Sequence, residues 1–255
     1  MIAAIIQARM GSTRLPGKVL MNLAGKPVLW HIVTRLQLAQ RLDCISIATT
    51  TDEADDRILE ICRSGKIPVC RGSRDDVLSR YYTCAKQLGM QAGRADYVVR
   101  ITADCPFVDP STVDILIDHA LRGRYDYVSN VDPPTFPDGF DVEIFSFDAL
   151  EKAFREARRD SDREHVTPFI RNTGGFSKFN HVHTPDLSSV RLTLDTPEDY
   201  RLISNIYEAL YRDGGIISLD DILKFLESRS DIRGINARYT RNEGYAKSLS
   251  EDREI

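Results

Sequence analysis

The sequence is short of the features that would place it in several large classes. No apolar run approaches the length of a membrane-crossing helix, and the first one, Met1 to Gln7, passes into cations instead of the longer apolar region of a secretory leader. Neither a membrane partner nor a leader is therefore expected. Acidic and basic residues nearly balance, with a net charge of −4, so no basic field points to nucleic acid as a partner. No internal repeat or low-complexity tract is present, which excludes a repeat array. The five cysteines (Cys44, Cys62, Cys70, Cys84 and Cys105) are an odd number without a C-x-x-C pair. That argues against a disulfide framework, and most of them sit in apolar patterns, as buried free thiols of a cytoplasmic protein do.

What is present is the composition of a globular chain, 42% hydrophobic and 28% charged over 255 residues. One α/β domain with an appendage fits that length. Met1–Gln7 reads as a strand. A helix follows from Lys26-Pro27-Val28, with Leu29, Ile32, Val33 and Leu36 on one face. Cys44–Thr49 is a second strand, Glu53–Arg63 a helix, and Ile67–Cys70 a short third strand. Asp75–Leu88 is helical by its apolar spacing, with Gly89 just past its end. Asp96–Thr102 is a strand, Ser111 is read as the cap of a helix reaching Leu121, and Tyr125–Asn130 is a further strand. Regular alternation of this kind implies parallel βαβ units with helices on both faces of the sheet.

The alternation then breaks at a proline-rich loop, Asp132 to Gly139. Asp141-Val142-Glu143-Ile144-Phe145 alternates acid and apolar, as a strand with one wet face does. Helices are expected over Phe147–Arg158 and Asp162–Arg171, the latter stopped by Gly174-Gly175. Phe176–His183 alternates again, and Val190–Asp195 reads as a strand ending in an acid. A long helix starts at Thr196-Pro197-Glu198-Asp199, and another is capped at Ser218 and runs to Leu226. From Ser228 the chain is polar and carries little structural signal.

In parallel sheets the carboxyl ends of the strands collect the ligand. Here those ends carry Arg9 to Lys18, Thr50 to Asp52, Arg71 to Ser73, and Asp104, so the polar groups converge on one edge. The first of these, Ala8-Arg9-Met10-Gly11-Ser12-Thr13-Arg14-Leu15-Pro16-Gly17-Lys18, puts glycines, hydroxyls and three cations directly after a strand. Glycines let backbone N–H groups approach an anion, and Arg and Lys neutralise it, so this loop is built to hold phosphates. It is not a Walker A loop: one residue too many separates Gly11 from Gly17, and Val19 stands where a hydroxyl should meet magnesium. Asp104 follows another strand, with Pro106 stiffening its turn. A carboxylate among cations and phosphates is best explained by Mg2+ between them.

The loop Ile6–Lys18 resembles the signature of the cytidylyltransferases that make CMP-sugars. These are the CMP-3-deoxy-manno-octulosonate and CMP-sialic acid synthetases and the branch named for spore coat polysaccharide biosynthesis protein F. Arg100-Ile101-Thr102-Ala103-Asp104-Cys105-Pro106, Asp162-Arg163-Glu164-His165-Val166-Thr167-Pro168 and Leu194-Asp195-Thr196-Pro197-Glu198-Asp199 extend the likeness in order. It implies a mostly parallel, Rossmann-like nucleotidyltransferase domain over residues 1–227. Residues 132–185 would be inserted for acceptor binding and dimerisation, and 228–255 would form a polar tail. It implies CTP and a sugar acid as substrates, Mg2+ as cofactor, a homodimer, and Arg9, Arg14, Lys18 and Asp104 as the catalytic set.

In the same likeness Ala8, Gly11, Ser12, Thr13 and Thr102 line the nucleotide, and Asp195 shares the metal with Asp104. Asp195 also stands before Thr-Pro-Glu, a capping sequence, so the alternative is a helix cap, and one carboxylate could cap with one oxygen and bind metal with the other. Thr50, Asp52, Arg71, Gly72 and Asp75 read either as the base and ribose edge or as helix N-termini with their capping acids. Asp141, Glu143, Glu164 and His165 are candidates for the acceptor side, against a solvated edge for the acids and a structural role for the histidine. His181 and His183 share a face but lack a third ligand, which makes a metal site there the weaker reading.

Three rivals remain: a transferase using another NTP or a non-sugar acceptor, a glycosyltransferase, and a nucleotide-binding subunit without chemistry. The glycosyltransferase would want Asp-x-Asp after a middle strand, where this chain has Asp104-Cys105-Pro106.

Overall fold

The computed structural model describes residues 1–252. Its centre is the opening apolar run, β1 (Ile2–Gln7), paired in parallel on both sides. Flanked on both sides, the strand has no wet face. Ile2, Ala4 and Ile6 enter one apolar core and Ala3 and Ile5 the other. After the loop come a two-strand ribbon, β2 (Asn22–Leu23) and β3 (Lys26–Pro27), and α1 (Val28–Leu36). Then follow β4 (Cys44–Thr50), α2 (Asp56–Gly65), β5 (Val69–Gly72), α3 (Val77–Gln87), β6 (Tyr97–Thr102), α4 (Pro110–Gly123) and β7 (Tyr127–Ser129). The remainder is β8 (Glu143–Ser146), α5 (Phe147–Glu156), α6 (Asp160–His165), α7 (Pro168–Asn172), β9 (Lys178–Asn180), α8 (Pro197–Leu210), α9 (Leu219–Ser228), α10 (Ser230–Arg233) and α11 (Glu243–Ser250).

The seven-stranded sheet runs β5-β4-β1-β6-β8-β7-β9. Only β8 opposes the rest: it is antiparallel to β6 and β7, while the other ladders are parallel. Residues from α1, α4 and α8 cover one face and residues from α3 and α5 the other. This is the mostly parallel sheet with helices on both faces that the alternation implies. No helix among the described residues is long and apolar enough to cross a membrane.

Several local expectations are corrected. Val190–Asp195 is not a strand. Leu192 N donates to Asp138 O at 2.7 Å and Leu194 N to Asp104 O at 2.8 Å, so its backbone pairs with two loops instead of a ladder. Asp109, not Ser111, caps α4, accepting from Thr112 N at 2.7 Å. The helix expected over Asp162–Arg171 is broken at Val166, whose φ is 72°, and resumes after Thr167-Pro168. The supposed wet face of β8 is dry: Glu143 is only 5% exposed. Beyond Ser228, where the pattern is weak, the chain forms α10 and α11.

Candidate active site

The loop after β1 is shaped by a few pins. Gly17 sits at φ +71°, where its N–H donates to Met10 O at 2.9 Å, and an added Cβ would come 3.2 Å from Met10 Cε. Leu15 and Val19 are buried and tie the loop to the core. Met10 N donates to Asp55 Oδ1 at 2.7 Å, and Ser12 Oγ accepts from Leu15 N at 3.3 Å. Ala8, buried, donates its N–H to Ala48 O and closes the base of the loop. Gly11, Thr13 and Arg14 are left exposed. Arg9 is half-buried and makes no ion pair among the described residues.

Lys18 lies where three chain segments meet. Its Nζ donates to Asp104 Oδ2 at 2.7 Å, in the turn after β6, and to Asp195 Oδ1 at 2.8 Å, just before α8. Burial works against the ammonium, but the two carboxylates raise its pKa overall. Burial likewise works against the Asp104 carboxylate, yet Lys18 and hydrogen bonds hold its pKa down to about 2. Thr102 Oγ1 lies 3.2 Å from Cys105 Sγ beside that turn. Arg14 Nη2 reaches Asp195 Oδ2 at 3.0 Å, and its Nη1 reaches Glu243 Oε2 at 2.8 Å.

Asp195 does not cap α8. Thr196 does, in a capping box with Asp199, which frees the Asp195 side chain for the cations. Its position is set from behind: Asp199 Oδ2 accepts the N–H groups of Asp195 and Thr196 at 3.0 Å each, and Asp199 takes Arg191 in a fork at 2.9 Å per arm. Arg191 also reaches Asp138 Oδ2 at 2.9 Å.

On the β4–β5 edge the proposed nucleotide residues separate. Thr50 is fully buried, and its N–H and hydroxyl both donate to Asp55 Oδ2, so it shapes the strand end from inside. Arg71 spans the gap, donating to Thr50 O at 2.7 Å and Asp52 O at 2.9 Å and pairing with Asp56 at 2.8 Å. A Cβ at Gly72 would meet Arg80 Cγ at 3.3 Å. Asp75 is exposed, and the cap of α3 is its neighbour Asp76, which accepts from Ser79 N at 2.9 Å.

The acceptor candidates also divide. Glu143 accepts from Arg100, from Tyr127 Oη and from Thr167 Oγ1 at 2.7 Å. Burial would raise its pKa, but Arg100, Arg171 and these hydroxyls lower it, so Glu143 is a buried, paired carboxylate and not a group facing a cleft. Asp141 pairs with Arg241, which also donates to Phe136 O at 3.0 Å. Burial, with Asp138, Glu143 and Asp104 nearby, pushes Asp141 up to about 7 despite that cation. His165 is lowered to about 4, first by burial and then by Arg100 and Arg171. Its Nε2 lies 2.9 Å from Ser248 Oγ, which donates to Glu164 Oε2 at 2.8 Å. His181 and His183 lie by Phe136 in an aromatic cluster, and no group of three or more metal-ligating side chains occurs among the described residues.

Sequence reading missed Arg191, Asp199, Asp138, Arg241 and Glu243. Asp199 had a signal, as the fourth residue of a Thr-Pro-Glu-Asp start, although only its capping role was legible. Arg241 and Glu243 lie in the polar stretch beyond Ser228, where no periodicity marks a position.

Comparison with known proteins gives the family and supports the fold. A family model described as cytidylyltransferase matches residues 3–224. An uncharacterized protein of Methanocaldococcus jannaschii is 36% identical over 92% of this chain and 94% of its own. The spore coat polysaccharide biosynthesis protein SpsF of Bacillus subtilis is 36% identical over 81% of this chain and 86% of its own. Among solved structures, a cytidylyltransferase from Leptospira borgpetersenii superposes with a TM-score of 0.84 at 33% identity, covering 91% of this chain and 96% of that one. A CMP:2-keto-3-deoxy-manno-octonic acid synthetase complexed with CTP, 16% identical, shares the fold at a TM-score of 0.60 over 82% of this chain and 99% of that one. With a phosphate-type loop, a lysine clasped by two carboxylates from separate turns and these relatives, the chain belongs to the cytidylyltransferase family and is a nucleotidyltransferase.

Proposed function

We propose that this enzyme transfers the cytidylyl group of CTP to an oxygen of a sugar acid and releases pyrophosphate. The observation that carries the reading is the Lys18 ammonium held at 2.7 Å from Asp104 and 2.8 Å from Asp195, with Arg14 on the same Asp195. In the reaction an acceptor hydroxyl oxygen bonds to the α-phosphorus, the bond from that phosphorus to the bridging oxygen of the β-phosphate breaks, and the hydroxyl proton passes to solvent. Arg9, Arg14 and Lys18 bind the triphosphate and neutralise the departing pyrophosphate, so the protein's work is positioning and charge balance.

Asp104 and Asp195 also fit a divalent cation. Two hard carboxylates from separate turns already converge on one positive centre, and Mg2+ commonly takes one or two carboxylates and completes its shell with phosphate oxygens and water. Bound there, Mg2+ would neutralise phosphate charge and lower the acceptor's pKa. Arg241, paired with Asp141 and 3.9 Å from Asp138, is the candidate acceptor floor, and Arg191 links Asp138 to Asp195. Glu164 and His165 are more distant members, joined to each other through Ser248. His165, with its pKa near 4, is a weak base, and the acceptor needs none of its own.

The same reading places the enzyme in the cytoplasm, in surface polysaccharide or glycan synthesis, as a homodimer paired through residues 132–185. The test is CTP-dependent pyrophosphate release with and without Mg2+. Asp104→Asn is expected to be nearly inactive, and full activity of that variant in Mg2+ would remove the metal assignment.

A further inference from the structure

Resting on the nucleotidyl-transfer reading, we propose that residues 236–250 form a strap over the active site in which the Glu243 carboxylate occupies Arg14 in place of a nucleotide phosphate, so that the triphosphate must displace it. The segment lies beyond the residues matched by the family model. At one end Asn236 is buried, and its Nδ2 donates to Arg191 O at 3.1 Å and Asp199 Oδ1 at 2.8 Å. Between the ends, Thr240 O accepts from Arg191, Arg241 pairs with Asp141, and Glu243 pairs with Arg14. At the other end Tyr245 packs on His165 and lies under Arg171, while Ser248 bonds to Glu164. The strap therefore runs from the hub behind Asp195, past the phosphate loop, to α6.

The two carboxylates on Arg14 are not equally able to leave. Asp195 is fixed by its own N–H on Asp199, by Lys18 and by Arg191. Glu243 stands at the start of α11, a helix with no buried residue, held through polar contacts, one edge-to-face ring contact and one cation–π contact. Elements with few buried apolar contacts open at low free-energy cost. The Arg14–Glu243 pair is itself exposed, with side chains 40% and 35% accessible, so breaking it costs little. A triphosphate offers the same guanidinium fork more oxygens and more charge than one carboxylate. Glu243 is also pre-aimed, since its other oxygen accepts from Thr240 N at 2.9 Å.

The test compares wild type with Glu243→Ala and Glu243→Gln. The glutamine keeps an acceptor for Thr240 N, and so the helix start, while removing the charge. Affinity is measured for CTP and for inorganic tripolyphosphate, with GTP as the control for base preference, and hydrogen exchange of residues 238–250 is followed. Both variants are expected to bind both ligands about two- to fivefold more tightly, the range that an exposed ion pair allows. In wild type, either ligand is expected to speed exchange across α11. Unchanged or weaker tripolyphosphate binding by the variants overturns the strap. Tighter tripolyphosphate binding with no preference for CTP over GTP supports the strap and counts against the cytidine reading instead.

Discussion

Lys18, Asp104 and Asp195 form one ion-paired unit, with the ammonium held between the two carboxylates. Arg14 is the separable member of the site. It is two-fifths exposed and its ion pairs contribute little to stability, so Arg14→Ala should keep the thermal midpoint within about 2 °C. The same change should lower kcat/KM by roughly 10²- to 10³-fold, the usual cost of losing one donor to developing charge. Glu143 is the opposite case. Glu143→Ala leaves Arg100 buried without its partner and should destabilise the fold by about 3–5 kcal/mol in denaturant unfolding. Both residues were candidates in the sequence, yet only burial separates them, and an acid two residues from another acid in an alternating run reads the same whether its face is wet or dry.

Asp138 and Asp141 set a pH signature. Their pKa values are raised from 3.8 to about 6 and about 7, so the folded state binds protons there more tightly than the unfolded chain does. Stability from this pair is present below the ordinary carboxylate pKa and is lost as pH rises from about 4 to about 7. Asp104, lowered to about 2, acts in the other direction and loses its contribution only as pH falls from about 4 towards 2. Asp141→Asn should flatten the decline between pH 4 and 7, measured as unfolding free energy against pH. A variant that falls as steeply as wild type would argue against a raised Asp141.

Among the elements, the start of α8 joins local and functional structure. Thr196→Ala should cost about 1 kcal/mol as an ordinary cap. Asp199→Ala should cost about 3 kcal/mol or more, because it strands Arg191 and releases the Asp195 turn, and it should lower activity as well. A guanidinium chloride titration of each variant separates the two. These differences also show where sequence patterns stop being informative. β1, β4, β6 and the helices between them were legible because both core faces demand apolar residues at fixed spacing. Val190–Asp195 has strand-like letters but pairs with loops, which no spacing reveals. α11 was invisible because it buries nothing and is held by side chains that meet distant partners, Ser248 with Glu164 84 residues away and Glu243 with Arg14 229 residues away.

For the whole molecule, the rule that parallel sheets gather their ligands at the carboxyl ends of strands pointed to the edge where these polar groups meet. The loop after β1, the turn after β6 and Asp195, just ahead of the α8 cap, meet at Lys18. The hub behind them could not be read, since Arg191, Asp138 and Asp199 acquire meaning only through the fold that brings residues 53 positions apart into one ion-pair cluster. Residues 132–185 are where strand direction reverses and helices shorten, so sequence periodicity is weak there. The central claim is cytidylyl transfer through the Arg14–Lys18–Asp104–Asp195 centre. Its most direct test is pyrophosphate release measured for ATP, GTP, CTP and UTP with a panel of octulosonic and nonulosonic acids, in wild type and Arg14→Ala. The account predicts release with CTP and at least one acid, and its near loss in the variant. Equal release with another NTP, or CTP binding with no release for any acid, would contradict it.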